Sequence, residues 1–312
     1  MDYIRLYMQL KLISAQPATQ YYAWQVEVYL TQFLRLGYSA EDIHVVGGFT
    51  DSHGVDISWL HLREKFKDVH FAFYKYSQCN YAPAMQSEVL AKHWLSNEYL
   101  KDCAVFFHDA DFLFTKYFDF TGYLRDSTWY FSDTISYIGA DYIKSKSSAI
   151  LDMMCQTIGI DKSLVESNQH NSGGAQKLMK NVTFDYWQEV NSHSVNLYNL
   201  LSRLSHIKPE GHQYGIQVWT ASMWAELWTA WKRGYTVEVP KEFDFSWATC
   251  HSDRWDEKSF FHNAGVSSEG RGMFFKGAYI DKLPYGTDLD LSKDHCSYNY
   301  YEIVKSINTC LI

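Results

Sequence analysis

The chain has 312 residues, 46% of them hydrophobic and 21% charged, which is enough to bury a large core and excludes fibrous, coiled-coil and mostly disordered chains. Lys and Arg number 28 against 36 Asp and Glu, a formal charge of −8 with no basic block, which argues against a nucleic-acid polymer as the main partner. A nucleotide ligand then requires a metal or a few local donors to neutralise its phosphates.

No apolar run reaches membrane-spanning length, and the N-terminus has no signal-peptide pattern, so no membrane span is expected. The six cysteines are widely separated, without a CxxC pair. Reduced thiols in a cytosolic setting are therefore expected, and a zinc site is not. The 24 Tyr, 19 Phe and 11 Trp suit stacking against flat rings or sugar faces, and equally suit an aromatic core.

In chain order, Tyr3 to Ile13 reads as a strand and Ser14 to Thr19 as a loop broken by Pro17. Tyr21 to Leu36 has helical spacing through Trp24, Val28, Tyr29, Leu30, Phe33 and Leu34, with Gly37 as its stop. Ile43 to Val46 and Val69 to Tyr74 are short apolar strands. Pro83 and the run through Glu88, Leu90, Ala91, Trp94 and Leu95 predict a second helix. Cys103 to Phe107 is a strand that ends in His108-Asp109-Ala110-Asp111. This alternation predicts an α/β fold with a largely parallel sheet, whose ligands bind beyond the carboxyl ends of the strands.

Farther along, Thr128 to Phe131 supplies a further strand near Asp133, and Ile143 to Ile158 a helix. Lys208 to Gly215 is a loop hinge. Gln217 to Trp231 carries Trp219, Met223, Trp224, Leu227, Trp228 and Trp231 at helical intervals, as a buried helix or an acceptor groove. No internal repeat is visible. One domain over residues 1–285, with 286–312 as a tail packed on it, is the expected organisation.

Three clusters carry chemistry. Asp109 and Asp111, at i and i+2 beyond an apolar strand, can both approach Mn²⁺ or Mg²⁺, and that ion can bridge to a diphosphate. The plain alternative is a solvated acidic turn. Gln169 to Gln176, with Asn171, Ser172, Gly173 and Gly174, reads as a turn into a helix with polar side chains and close backbone access. His262, emerging from Phe260-Phe261, can supply a third metal ligand.

The order of these pieces resembles the GT-A class of nucleotide-sugar-dependent glycosyltransferases, a Rossmann-like α/β fold. Tyr22-Ala23-Trp24-Gln25, Trp224-Ala225-Glu226-Leu227-Trp228 and Phe261-His262-Asn263-Ala264-Gly265 are similar to segments of plant and algal peptidyl serine galactosyltransferases and hydroxyproline arabinosyltransferases. The similarity is spread over residues 10 to 280. The missing anchor departs from Golgi members. It fits a cytoplasmic relative, including a virus-encoded one, or a Golgi-lumenal enzyme trimmed of its anchor.

The resemblance implies that Asp109, Asp111 and His262 bind the metal. It places Gln16, Pro17 and Thr19, with Tyr74 or Tyr76, at the base and ribose of a UDP-sugar. Asn171, Gly173 and Gly174 would lie by the donor sugar or the acceptor, a hydroxyl of a glycan or glycoprotein. Glu226 would sit near the reaction centre, its plain alternative being a pair with Arg233. Retention is the expected stereochemistry; inversion would need a base, for which Asp253, Asp244 and Glu226 are candidates. Two rival functions are a sugar-1-phosphate nucleotidylyltransferase and a noncatalytic carbohydrate- or nucleotide-binding protein. The absence of Gly, Lys and Arg from Ser14 to Gln20 counts against the first.

Overall fold

The structure is a computed structural model that describes residues 8–207, 214–270 and 272–311. The first half of the chain forms β1 (Leu10–Pro17), α1 (Gln20–Arg35), β2 (Ile43–Phe49), α2 (Ile57–Lys65), β3 (His70–Lys75), α3 (Ala84–Ser96), β4 (Ala104–His108), β5 (Phe112–Phe114) and β6 (Trp129–Asp133). Then come α4 (Ile135–Ile138), α5 (Ala140–Lys146), α6 (Ser148–Ile158), α7 (Lys162–Ser167), β7 (Gly173–Lys180) and α8 (Phe184–Leu204). The rest forms α9 (Ala221–Lys232), β8 (Val237–Glu238), β9 (Phe245–Trp247), α10 (Asp253–Glu257), β10 (Phe260–His262) and α11 (Cys296–Lys305).

Seven strands make one sheet in the order β3-β2-β1-β4-β7-β6-β8, and three make a second in the order β5-β10-β9. The larger sheet is mostly parallel, with β7 antiparallel to both β4 and β6. The α/β class expected from the sequence is the class observed. No helix among the described residues is long and apolar enough to cross a membrane.

The chain divides into two compact units. One comprises Tyr76–Phe107 and Thr121–Lys241 with the described residues up to Leu10; the other comprises Lys11–Lys75, His108–Phe120 and the chain from Glu242 onward.

In the first unit, α8 packs on both α3 and α9. Its core is aromatic, and several buried indoles are hydrogen-bonded: Trp94 Nε1–H donates to the Val182 carbonyl, Trp129 Nε1–H to Lys180 and Trp224 Nε1–H to Ile138, at 2.7–2.8 Å. Trp224, Trp228 and Trp231 are buried, as a core helix requires, whereas Trp219, before α9 begins, is 68% exposed. The helix expected over Ile143 to Ile158 is two helices. Ser147 is extended (φ −173°, ψ 136°) and stands between them at the N-cap position of the second, without a side-chain capping bond. The expected hinge at Lys208 to Gly215 falls mostly on residues 208–213, outside the described residues.

In the second unit, β1 pairs in parallel with β2, from Leu12 opposite Ile43 to Pro17 opposite Gly48. The expected loop at Ser14 is therefore strand as far as Pro17. Proline is tolerated because it comes last, and Ala18 N–H takes over the bond to the Gly48 carbonyl at 2.7 Å. The expected strand at Tyr3 to Ile13 lies partly on residues 1–7, outside the described residues. Helix α1 carries a fully buried carboxylate, Glu27, which accepts from Lys65 Nζ (2.8 Å), Thr309 Oγ1 (2.7 Å) and Cys310 N–H (2.9 Å). These bonds tie the end of the chain to α1, and α11 packs on α1, β9 and α10.

Candidate functional site

The small sheet of the second unit assembles the site from apolar strands. Phe112, Leu113 and Phe114 of β5 lie antiparallel to His262, Phe261 and Phe260 of β10, and β10 runs parallel to β9. Phe33, Phe112, Phe114 and Phe260 hold this sheet in place, their rings packing with centroids 4.7–6.1 Å apart. The register puts His262 opposite Phe112, one residue from Asp111. Asn263 N–H then donates to the Asp111 carbonyl at 2.9 Å, which fixes the two segments side by side.

Ligand atoms of Asp109, Asp111 and His262 consequently lie within 4.8 Å of one another. His262 Nε2 is 3.2 Å from Asp111 Oδ1 and 3.8 Å from Asp109 Oδ2. Trp247 stacks on the imidazole at 5.6 Å and 20°, which holds the plane of the ring. The Lys276 ammonium pairs with Asp111 Oδ2. Two carboxylates and an imidazole within reach of one centre form a donor set that fits Mn²⁺ or Mg²⁺.

Burial opposes charge on Asp111, His262 and Lys276, and opposite charges prevail. Burial raises the Asp111 carboxyl, yet Lys276 and His262 outweigh it and hold that group well below the usual carboxylate range. Burial lowers the His262 ring, while Asp111 and then Asp109 carry it above its ordinary value. Lys276 is likewise depressed by burial and raised on balance by Asp111.

His108, the last residue of β4, is fully buried against Tyr29, edge-on at 5.0 Å. Its Nδ1–H donates to the Asp109 carbonyl at 2.9 Å and thereby shapes the turn that presents both aspartates. Burial depresses this histidine from 6.5 to about 4. Below its unfolded value the unfolded chain takes the proton first, so stability present above 6.5 is lost as the pH falls through about 4. The loss is about 3 kcal/mol at 1.36 kcal/mol per pH unit. Urea denaturation of wild type and His108→Gln from pH 7 to pH 4 checks this by difference: wild type falls more steeply, and parallel curves contradict the assignment.

No protein-family model matches the chain, and no curated protein does. Solved structures do match. The bifunctional glycosyltransferase WbbM, in its apo form, aligns over 99% of this chain and 51% of its own, at a TM-score of 0.51 and 8% identity. The chain thus spans about half the length of that protein. Mouse xyloside xylosyltransferase 1, also apo, aligns over 83% of this chain and 99% of its own, at a TM-score of 0.38 and 10% identity. The likeness to WbbM establishes the fold, which is of the GT-A type that the sequence resembles.

The remaining expected residues are distributed between the units. Gln16, Pro17, Thr19, Tyr74 and Asp253 share the unit of the triad, whereas Tyr76, Asn171, Gly173, Gly174 and Glu226 belong to the other. Gln16 is buried near the end of β1 with Oε1 unpartnered. Thr19 is exposed, and its carbonyl accepts from the Trp59 indole at 2.9 Å. Asp253 opens α10, exposed, with its carboxylate 3.1 Å from His251 Nδ1. Glu226 is buried and pairs with Lys177 of β7. The alternative partner Arg233 is taken by Glu189 at 2.7 Å.

Asn171 to Gly174 leads into a strand rather than a helix. At the bulge between Phe131 and Ser132, β6 and β7 approach closely, and Ala175 adopts φ 55°. A Cβ on Gly173 would lie 2.5 Å from Phe131 Cβ and 3.0 Å from the Ser132 carbonyl oxygen. One on Gly174 would meet mainly the flexible end of Met223. Gly173→Ala is therefore expected to cost roughly 2–3 kcal/mol and Gly174→Ala clearly less. Denaturant midpoints of the two variants check the order.

Sequence reasoning missed Lys276. The available signal was a lone lysine inside Phe274-Phe275-Lys276-Gly277-Ala278-Tyr279, because a charge placed in a core-forming run needs a counter-charge.

Proposed function

We propose that this chain is a metal-dependent glycosyltransferase that moves a sugar from a UDP-sugar to a hydroxyl of a glycan or glycoprotein, with retention at the anomeric carbon. The observation that carries this reading is the meeting of Asp109, Asp111 and His262 within 4.8 Å, on a fold shared with a glycosyltransferase. The dispersed segments around Trp24, Trp228 and His262 favour an affinity with the serine galactosyltransferases and hydroxyproline arabinosyltransferases. A divalent ion held there would supply positive charge to stabilise the charge developing on the leaving diphosphate.

The chain's own residues supply the rest. Asp109 and Asp111 would hold the cation through their carboxylates, and His262 would ligate it through a neutral ring nitrogen. The unpartnered Oε1 of Gln16 suits an N–H of the base or a ribose hydroxyl, with Pro17, Thr19 and Tyr74 of the same unit as further candidates. In the transfer, the bond from the anomeric carbon to the phosphate oxygen breaks, and the acceptor oxygen bonds to that carbon on the same face. The leaving phosphate takes the acceptor proton, so retention needs no protein base. Asp253 and Glu226 are the carboxylates an inverting course would use.

The test is a panel of UDP- and GDP-sugars incubated with the protein and Mn²⁺, without added acceptor. Slow release of sugar to water from one donor, lost on chelation, is the expected result. Silence across the panel, with no Mn²⁺-dependent UDP binding by calorimetry, overturns the reading.

A further inference from the structure

The second unit contains its own cation at the place where a divalent ion would bind. Lys276 follows Phe274 and Phe275 and precedes Tyr279. The rings of Phe274 and Tyr279 stack at 5.3 Å and 14°, and both meet Trp24 of α1 edge-on, at 6.1 and 6.3 Å. The backbone on either side of Lys276 is thus anchored in an aromatic core, and only the long side chain has freedom to move. That side chain is 28% exposed, while the Asp111 side chain it reaches is 8% exposed. Asp111 is shared, with Oδ2 to Lys276 and Oδ1 to His262 at 3.2 Å.

An ion ligated by Asp109, Asp111 and His262 would stand next to this ammonium. Like charges at such range repel, and the partial burial of Lys276 and Asp111 limits screening by water. An ammonium on Oδ2 and an ion on Oδ1 would each weaken the other's hold on Asp111, and less so once further negative charge arrives. A diphosphate brings that charge.

We propose that Lys276 is a tethered cation that occupies Asp111 in the resting protein and competes with the divalent ion, so that metal and nucleotide diphosphate bind together rather than independently. The inference rests on the reading of Asp109, Asp111 and His262 as metal ligands. It makes Lys276 a positioning residue for the metal centre, one that keeps the centre closed to a bare ion and releases Asp111 when the diphosphate offers the ammonium another partner. The coupling is reciprocal: whatever factor UDP adds to Mn²⁺ affinity, Mn²⁺ adds to UDP affinity.

The experiment is calorimetric titration of Mn²⁺ into the full chain, with and without UDP, for wild type, Lys276→Met and Lys276→Arg. Removing the tethered charge should tighten binding of Mn²⁺ alone by at least about tenfold. UDP should then strengthen Mn²⁺ binding markedly in wild type and in Lys276→Arg, and much less in Lys276→Met. Thermal unfolding establishes that each variant is folded; should the Met variant fail, Lys276→Gln, which keeps a hydrogen bond to Asp111, gives the same contrast. Equal or weaker binding of Mn²⁺ alone by the neutral variant overturns the competition and leaves the metal centre standing. Absence of Mn²⁺ binding in every protein, with and without UDP, overturns the metal centre itself and the competition with it.

Discussion

Asp111→Ala should lower Mn²⁺-dependent sugar release by about a hundred- to a thousandfold and also destabilise the protein by about 3 kcal/mol. The two effects have different origins. In the proposed role of ligand, Asp111 would supply negative charge to the cation that steadies the leaving diphosphate. As a buried counter-ion, it partners Lys276 and His262, and its loss leaves an ammonium without compensation in a poorly solvated place. Asp111→Asn separates the roles, because the amide keeps the volume and one accepting oxygen but not the charge. It should lose release as fully as the alanine variant at a smaller cost in stability. Asp109 provides the control. Its side chain is 36% exposed, so Asp109→Ala should lose release with little change in the unfolding midpoint. Release from the donor, read beside urea denaturation, checks all three. Wild-type release by Asp111→Asn contradicts the assignment.

These variants probe the part of the molecule that was most legible in the sequence. The alternation of β1, α1, β2 and β3 has strong periodicity, and β4 is an unbroken apolar run, so the acidic pair after it was visible as a loop at the carboxyl end of a strand. His262 was visible as a histidine leaving an apolar run, but its pairing with Asp111 was not. What joins it to Asp111 is the pairing of two three-residue strands about 150 residues apart in sequence, and no local pattern encodes such a pairing. Pro17 misled because a proline closing a strand looks the same in sequence as one that breaks it.

The longest helix, α8, was missed for a related reason. Its buried face includes His193 and Ser194 among Tyr186, Trp187, Val190, Leu197 and Leu201, so polar residues dilute the apolar period that a sequence reading depends on. The glycines at 173 and 174 pointed to close backbone approach, which is present. The approach, however, is to β6 and α9, a requirement set by packing. Whether a residue in such a segment serves a ligand or the core depends on what faces it across the sheet.

Glu226 poses that question most sharply, and its removal should be the most destabilising change in the first unit. Glu226→Ala should cost about 3–5 kcal/mol, because it strands Lys177 as a buried charge. Lys177 sits in β7 and Glu226 in α9, with side chains only 5% and 7% exposed. The ammonium also lies over the Phe107 ring at 5.0 Å, and Tyr186 OH donates to the Glu226 carbonyl at 3.0 Å. Removing both charges with residues of similar volume, as in Lys177→Met with Glu226→Leu, should bring stability back to within about 1 kcal/mol of wild type, since the desolvation cost of the pair disappears with its attraction. Chemical denaturation of the two single variants and the double closes that cycle. The folded double variant then addresses the chemistry separately from the fold. If transfer proceeds with retention, no protein carboxylate has to accept the acceptor proton, and sugar transfer should survive in the double variant within about tenfold of wild type, well short of the loss on removing a general base. A stable double variant that has lost transfer altogether would instead put Glu226 at the reaction centre and favour inversion.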